Sequence, residues 1–310
     1  MRIACSKLNG VWWAVVAIGL AACGDGTASS SVTATPASNL TPRLFIPAFR
    51  AGEAESSVSS ARRVLFINGD HIPDSGYPHS RVRDEGVYPE SFSRLRVEVL
   101  ERELGLAVDE FILTANNTIR LEQLSLYRVV VLGSNHRRLK PEEVQALTSY
   151  YNGGGRVLVY ADFQYGPDNW ASDNDFLAQF GVEVLRDNFQ PATVITDIVT
   201  PHPIMQGVRA FGVEGASQFI VRASAQQEIT VIAQCSPLER SGCALQEQER
   251  ARLQAGDRVV CTWTREIPSG GKLAGTCDRN TFHNGPGPGS DLDQHDNRLY
   301  ARNFFKWLVD

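Results

Sequence analysis

Four stretches of this sequence gather residues that could do chemistry. They are Asn68-Gly69-Asp70-His71, Ser134-Asn135-His136-Arg137, Asp162, and Asp278-Arg279-Asn280 followed by His283. Imidazole nitrogens and carboxylate oxygens are the donors that hold a divalent ion and activate water on it. If Asp70, His71, His136 and Asp162 converged, they would be the catalytic candidates of a hydrolase. The candidate metal ligands would be His71, His136, Asp162 and His283. Their spacing matches no established metal motif, so no cofactor is expected, and a divalent metal is the one alternative. A second chemistry needs no reaction. Asn135, Arg137, Asp162, Tyr165, Asp278 and His283, with Tyr88 and Trp170, would hydrogen-bond to and stack on a polar ligand such as a glycan or peptide. The local alternative for all of them is capping and turn formation. Gly285–Asp291 (GPGPGSD) lacks the Gly-Lys-Ser/Thr of a phosphate loop, and His202 between two prolines reads as a rigid corner.

These residues follow short apolar runs, so the elements that position them are strands. Val64–Asn68 (VLFIN), Phe111–Thr114, Arg128–Gly133 (RVVVLG) and Arg156–Ala161 (RVLVYA) read as strands, the clearest of them buried on both faces. Between them lie helical patterns. Pro89–Glu103 carries the stripe Phe92, Leu95, Val99 and Leu100. A second helix opens at Pro141 and stops at Gly153-Gly154-Gly155, and a short one runs near Asn174–Phe180. Strand–helix alternation predicts a three-layer α/β fold with a mostly parallel, flavodoxin-like sheet. Ligands of such sheets bind at the carboxyl ends of the strands, where the polar stretches fall. From about residue 190 to 280 strands follow one another without helices (Thr193–Val199, Glu228–Gln234, then a hairpin), which predicts an antiparallel β extension at one edge. Asn297–Leu308 is the closing helix, with Leu299, Phe304, Trp307 and Leu308 facing the sheet.

Leu126–Asp162, in which a strand, a polar loop, Leu-x-Pro-Glu-Glu, a helix, a Gly stop and a second strand succeed one another, resembles the class I glutamine amidotransferase-like fold. It is similar in particular to the auxiliary domains of gliding-motility-type ABC transporters. The phrase His202-Pro203-Ile204 with Gly207-Val208, and the ending from Cys277 to Asp310, extend the likeness over roughly residues 62–310. The resemblance implies the architecture. It does not bring the amidotransferase activity, because the strand exit that carries the nucleophilic Cys in that family reads Ala161-Asp162-Phe163 here. Gly-x-Cys-x-Gly and Gly-x-Ser-x-Gly are both absent. The chain is therefore expected to be a non-catalytic binding module, with a hydrolase built on the His/Asp loops as the alternative.

The N-terminus says where it works. Arg2 and Lys7 precede the apolar run Val11–Leu20, which is too short to span a bilayer and has the form of a signal peptide over residues 1–22. Leu20-Ala21-Ala22-Cys23 resembles the lipobox of bacterial lipoproteins. That resemblance implies diacylglycerol and a further acyl chain such as palmitate on Cys23, and membrane attachment through them. Gly24 after the cysteine points by the same likeness to the outer membrane of a Gram-negative bacterium. Residues 23–60, rich in Ser, Thr, Ala and Pro, read as a flexible tether, interrupted by the apolar Leu44–Phe49. The folded part is expected over 61–310. Removal of residues 1–22 moves the net charge from −5 to −7, which with no basic run excludes nucleic acid as partner and leaves an envelope protein, glycan or peptide. Four cysteines remain in the exported part beyond Cys23. Folding the chain about Pro268-Ser269-Gly270-Gly271 sets Cys261 opposite Cys277, and Cys235 with Cys243 then closes a short loop, so two disulfides are expected.

Overall fold

A computed structural model describes residues 60–69, 81–83, 91–133, 137–162, 169–186, 193–235, 245, 247–285 and 291–310. Residues 1–59, which hold the expected leader, Cys23 and all but the last residue of the expected tether, lie outside the described residues, as do Cys243 and the candidates Asp70, His71, Asn135, His136 and Tyr165. So do Tyr88 and the side chain of Trp170.

The first half of the chain alternates as its apolar runs require. Strands β1 (Arg63–Gly69), β2 (Ala107–Leu113), β3 (Val129–Leu132) and β4 (Arg156–Tyr160) are separated by a π-helix (Leu95–Glu103) and by helices α1 (Leu121–Leu124) and α2 (Pro141–Asn152). There follow α3 (Asn169–Leu177), β5 (Val182–Val184), β6 (Thr193–Ile195), β7 (Asp197–Ile198), β8 (Phe211–Val213), β9 (Phe219–Val221) and β10 (Thr230–Gln234). The chain ends with α4 (Glu247–Arg250), β11 (Arg258–Val260), β12 (Thr262–Glu266), β13 (Lys272–Thr276) and α5 (Asn297–Val309).

The central sheet runs β2-β1-β3-β4-β13-β12-β10-β7. Its first five strands are parallel, and β12, β10 and β7 continue it antiparallel. The strand order of the parallel part, with its reversal between β1 and β3, is that of flavodoxin-like sheets. Right-handed crossovers that move in opposite directions along a sheet place their helices on opposite faces. Accordingly the π-helix packs with α5, while α2 packs with α1 and α3. Phe66 of β1 meets Phe92 and Phe305, each with ring centroids 6.1 Å away. Val64–Ile67, Val129–Leu132 and Val157–Tyr160 are all buried, as two-sided coverage demands. Each such side chain contributes about 1.5–3 kcal/mol of burial free energy.

The hairpin about residues 268–271 forms, but its second strand is not part of the antiparallel extension. β13 pairs with β4 in parallel register, Lys272 with Arg156 through Thr276 with Tyr160, and so supplies the fifth parallel strand. The extension begins at β12. The register Thr262–Thr276 sets Cys261 against Cys277, and these form a disulfide with Cα atoms 4.7 Å apart. Cys235 is also disulfide-bonded, but its expected partner Cys243 lies outside the described residues. Gly275 is required where it stands: a Cβ there would meet Trp263 Nε1 at 2.4 Å and the Phe219 ring at 2.8 Å. The stretch expected as one strand over Thr193–Val199 divides, because β6 pairs with β8 while β7 joins the far edge of the main sheet. A further three-stranded sheet, β11-β9-β5, carries the network of Arg222 and Arg252 with Glu183, Asp257 and Glu249.

Candidate functional site

The carboxyl ends of β4 and β13 lie side by side, and each delivers its next residues into the same buried polar cluster. Ala161 N–H donates to Thr276 C=O at 2.9 Å, which carries the pairing one step past β4. The next residue is Asp162, whose carboxylate forms an ion pair with the Arg279 guanidinium. Their side chains are 2% and 0% exposed, so the pair has no solvent to screen it. Asp278, between Cys277 and Arg279, is fully buried and accepts backbone N–H bonds from Glu214 at 2.6 Å and Asn280 at 2.7 Å. The Asn280 side chain returns a bond to Glu214 C=O at 2.7 Å. Ser217 ties the two exits together: its N–H donates to Cys277 C=O at 2.9 Å and its hydroxyl to Asp162 C=O at 2.8 Å.

A third acid, Asp173 of α3, is 5% exposed, and its Oδ1 has no hydrogen-bond partner among the described residues. Burial pushes the Asp173 carboxyl well above the usual carboxylate range, and the charges of Asp162 and Asp175 push it further. Burial does the same to Asp278, with Asp162 adding to it, and outweighs the two backbone N–H groups that favour its anion. The cluster therefore divides its labour. Asp162 pairs with Arg279, whereas burial and the nearby Asp162 charge both disfavour the ionised forms of Asp173 and Asp278.

The other described candidates are placed as follows. His283 is 5% exposed, with its ring 5.2 Å from that of Phe92. The next residue, Asn284, bonds to Ser91 Oγ at 2.7 Å, Ser93 Oγ at 2.8 Å and Arg94 N–H at 2.8 Å, so the segment after β13 is fastened to the one that leads into the π-helix. Arg137 faces inward. Its guanidinium holds Glu143 at 2.7 Å and 2.8 Å and the Thr114 carbonyl at 2.8 Å. Burial raises the Glu143 carboxyl, but Arg137 and the backbone N–H groups of Lys140 and Ile119 outweigh it and hold that carboxyl below its usual range. Asp162, Asp278 and Arg279 thus come together, whereas Arg137 is taken up by Glu143 and the Thr114 carbonyl, and the His283 ring lies against Phe92. Asp70, His71, Asn135, His136 and Tyr165 lie outside the described residues. Among the described residues no three His, Cys, Asp or Glu side chains are grouped to hold a metal ion, and no helix is long and apolar enough to cross a membrane. Another carboxylate with a buried side chain, Glu110 of β2, accepts from Asn68 Nδ2 at 2.9 Å, Arg81 Nε at 3.0 Å and Val82 N–H at 3.0 Å.

Sequence reasoning missed Asp173 and the partnership of Arg279. Arg279 stands in the polar stretch already singled out, and the available signal was its opposite charge to Asp162 on the exit of a strand that proves to be the neighbour of β4.

No protein-family model matches the chain, and no curated protein sequence does. Solved structures match it in fold. The N-terminal domain of mmIFT52 superposes with a TM-score of 0.53 at 14% identity, covering 80% of this chain and 97% of that one. A ThuA-like protein from Bacteroides uniformis ATCC 8492 gives a TM-score of 0.49 at 16% identity, over 84% of this chain and 95% of its own. The cytoplasmic protein STM3548 from Salmonella typhimurium gives 0.48 at 16% identity, over 79% and 97%. The likeness is one of architecture: a mixed α/β chain with a mostly parallel central sheet and antiparallel strands beyond it.

Proposed function

We propose that this chain is a lipid-anchored, non-catalytic binding module of the bacterial envelope, tethered through Cys23. Its amidotransferase-like domain would recognise an envelope protein or a polar glycan or peptide at the strand exits. One observation carries the non-catalytic part. The residue at the exit of β4, where the resembled family keeps its nucleophile, is a buried aspartate answered by Arg279. A carboxylate desolvated against a guanidinium is a poor nucleophile and a poor base, because the pair stabilises its charged, unreacted form. The anchoring part rests on the Leu-Ala-Ala-Cys23 sequence alone.

One observation favours the hydrolase alternative. Asp173 and Asp278 are buried in one cluster with the Arg279-paired Asp162, and burial raises both of their carboxyls, the direction in which acid catalysts are tuned.

The test uses the full-length chain made in a Gram-negative host, with Cys23→Ala and Asp162→Asn variants. The wild type is expected in the outer-membrane fraction with acyl chains on the Cys23 peptide by mass spectrometry, and Cys23→Ala in the soluble periplasm. An unmodified Cys23, or identical fractionation of the two, refutes the anchor. Peptidoglycan fragments and peptides incubated with the protein are expected to be retained uncleaved. Turnover that disappears in Asp162→Asn would replace the binding reading with the hydrolase.

A further inference from the structure

The disulfide and the strand-exit cluster are contiguous in the chain and in space. Cys277 is followed directly by Asp278 and Arg279. Its own carbonyl is held by Ser217, the residue whose hydroxyl also holds the Asp162 carbonyl. On the other side, Cys261 N–H donates to Ala233 C=O of β10 at 2.9 Å. The bond thus fastens the last residues before the cluster to the antiparallel extension. Both sulfurs belong to residues that are 0% exposed.

From this continuity we infer that the strand-exit site is redox-gated: the network joining Asp162, Ser217, Asp278 and Arg279 is assembled only while Cys261 and Cys277 are bonded. The gating reaction is a thiol–disulfide exchange. A dithiol attacks one protein sulfur, the S–S bond breaks through a mixed disulfide, and the second thiol of the reagent displaces the remaining cysteine. Two protein thiols and one oxidised reagent result. Because the cysteines are buried, exchange requires the end of β13 to open first, which is the motion that dismantles the site.

The inference predicts local loosening as well as general loss of stability. Full-length protein is compared with Cys261→Ala/Cys277→Ala, and in parallel with wild type after dithiothreitol, by amide hydrogen exchange. Protection of the Glu214, Ser217 and Asn280 amides, which donate to Asp278 and to the Cys277 carbonyl, is expected to fall at least about tenfold. Protection across β1 and β3, on the far side of the sheet, is expected to hold. The dithiothreitol arm keeps the native sequence, so a failure of the double variant to fold does not remove the test, and the same arm on Cys235→Ala/Cys243→Ala removes the Cys235 disulfide as a cause. Unchanged protection at the three amides would overturn the inference. So would a uniform fall across the whole sheet, which would make the disulfide a general staple. Neither result bears on whether the site binds or catalyses, which the turnover experiment decides separately.

Discussion

Breaking the Asp162–Arg279 pair from its two ends should give two variants with opposite pH behaviour. Removing one member of a buried ion pair costs about 3–5 kcal/mol, since it strands the other charge. Asp162→Asn strands a guanidinium that is 0% exposed. Asp278 lies beside it and is raised partly by the Asp162 charge. Without that charge Asp278 ionises more readily and answers Arg279, so the loss at neutral pH falls near ~3 kcal/mol. The rescue fails as Asp278 is protonated, so the deficit grows as pH falls. Arg279→Met instead leaves Asp162 buried with two other acids. Its folded pKa then rises above the unfolded value, so the folded chain binds a proton that the unfolded chain releases. Stability is present at low pH and lost as pH rises, at up to ~1.4 kcal/mol per unit. The Arg279→Met deficit, near ~5 kcal/mol at neutral pH, therefore shrinks towards pH ~4. Asp162→Asn/Arg279→Met removes both charges and should recover most of the loss. Urea unfolding of all four proteins at pH ~7.5, ~6 and ~4.5 gives the cycle. A coupling energy under ~0.5 kcal/mol, or deficits that move the same way with pH, would refute the reasoning.

Three further outcomes are expected. Asp173→Asn should gain stability relative to wild type as pH rises above about 4, because the wild-type acid holds a proton in the folded state that the unfolded chain gives up; a pH-independent difference would contradict the raised carboxyl. His202 is pushed down to about 4 by burial and by Lys272, with its ring 5.2 Å from that of Trp307. Its contribution should be complete above about 6.5 and lost as pH falls towards 4, and an NMR titration midpoint near 6.5 would rule this out. Gly275→Ala should cost about 1–3 kcal/mol through overpacking against Trp263 and Phe219, and an unchanged urea midpoint would show that the ring can move away.

What was legible in the sequence follows from how each element is held. β1, β3 and β4 are buried on both faces, so continuous apolar runs announce them. Helix α2 carries its own start and stop, with Pro141 at its first turn and Gly153 at its end. The Cys261–Cys277 bond followed from the hairpin register. By contrast β5, β8, β9 and β11 are three residues long, too short for a period to show. The hairpin is visible locally, but nothing local says that β13 inserts beside β4 rather than staying with β12. The site suffered from the same blindness. Asp162 and Asp278 stood out as polar residues at strand ends, but the charge that occupies Asp162 lies 117 positions away. Asp173 sits in a helical stretch where an aspartate ordinarily faces water, and burial alone makes it unusual.

The place of β13 in the sheet also sets the order in which the protein can be made. Each residue of its partner β4 precedes the one it pairs with by 116 positions, from Arg156 with Lys272 to Tyr160 with Thr276. While the intervening chain is still being synthesised, β4 has an open backbone edge and an apolar face, the condition that invites pairing with another molecule. The last strand to arrive is therefore an interior one, and long-range parallel pairing of this kind is intrinsically slow. A chain cut short before Lys272 would lose the strand that joins the two halves of its sheet, and would be left as two partial sheets, each with an unpaired edge.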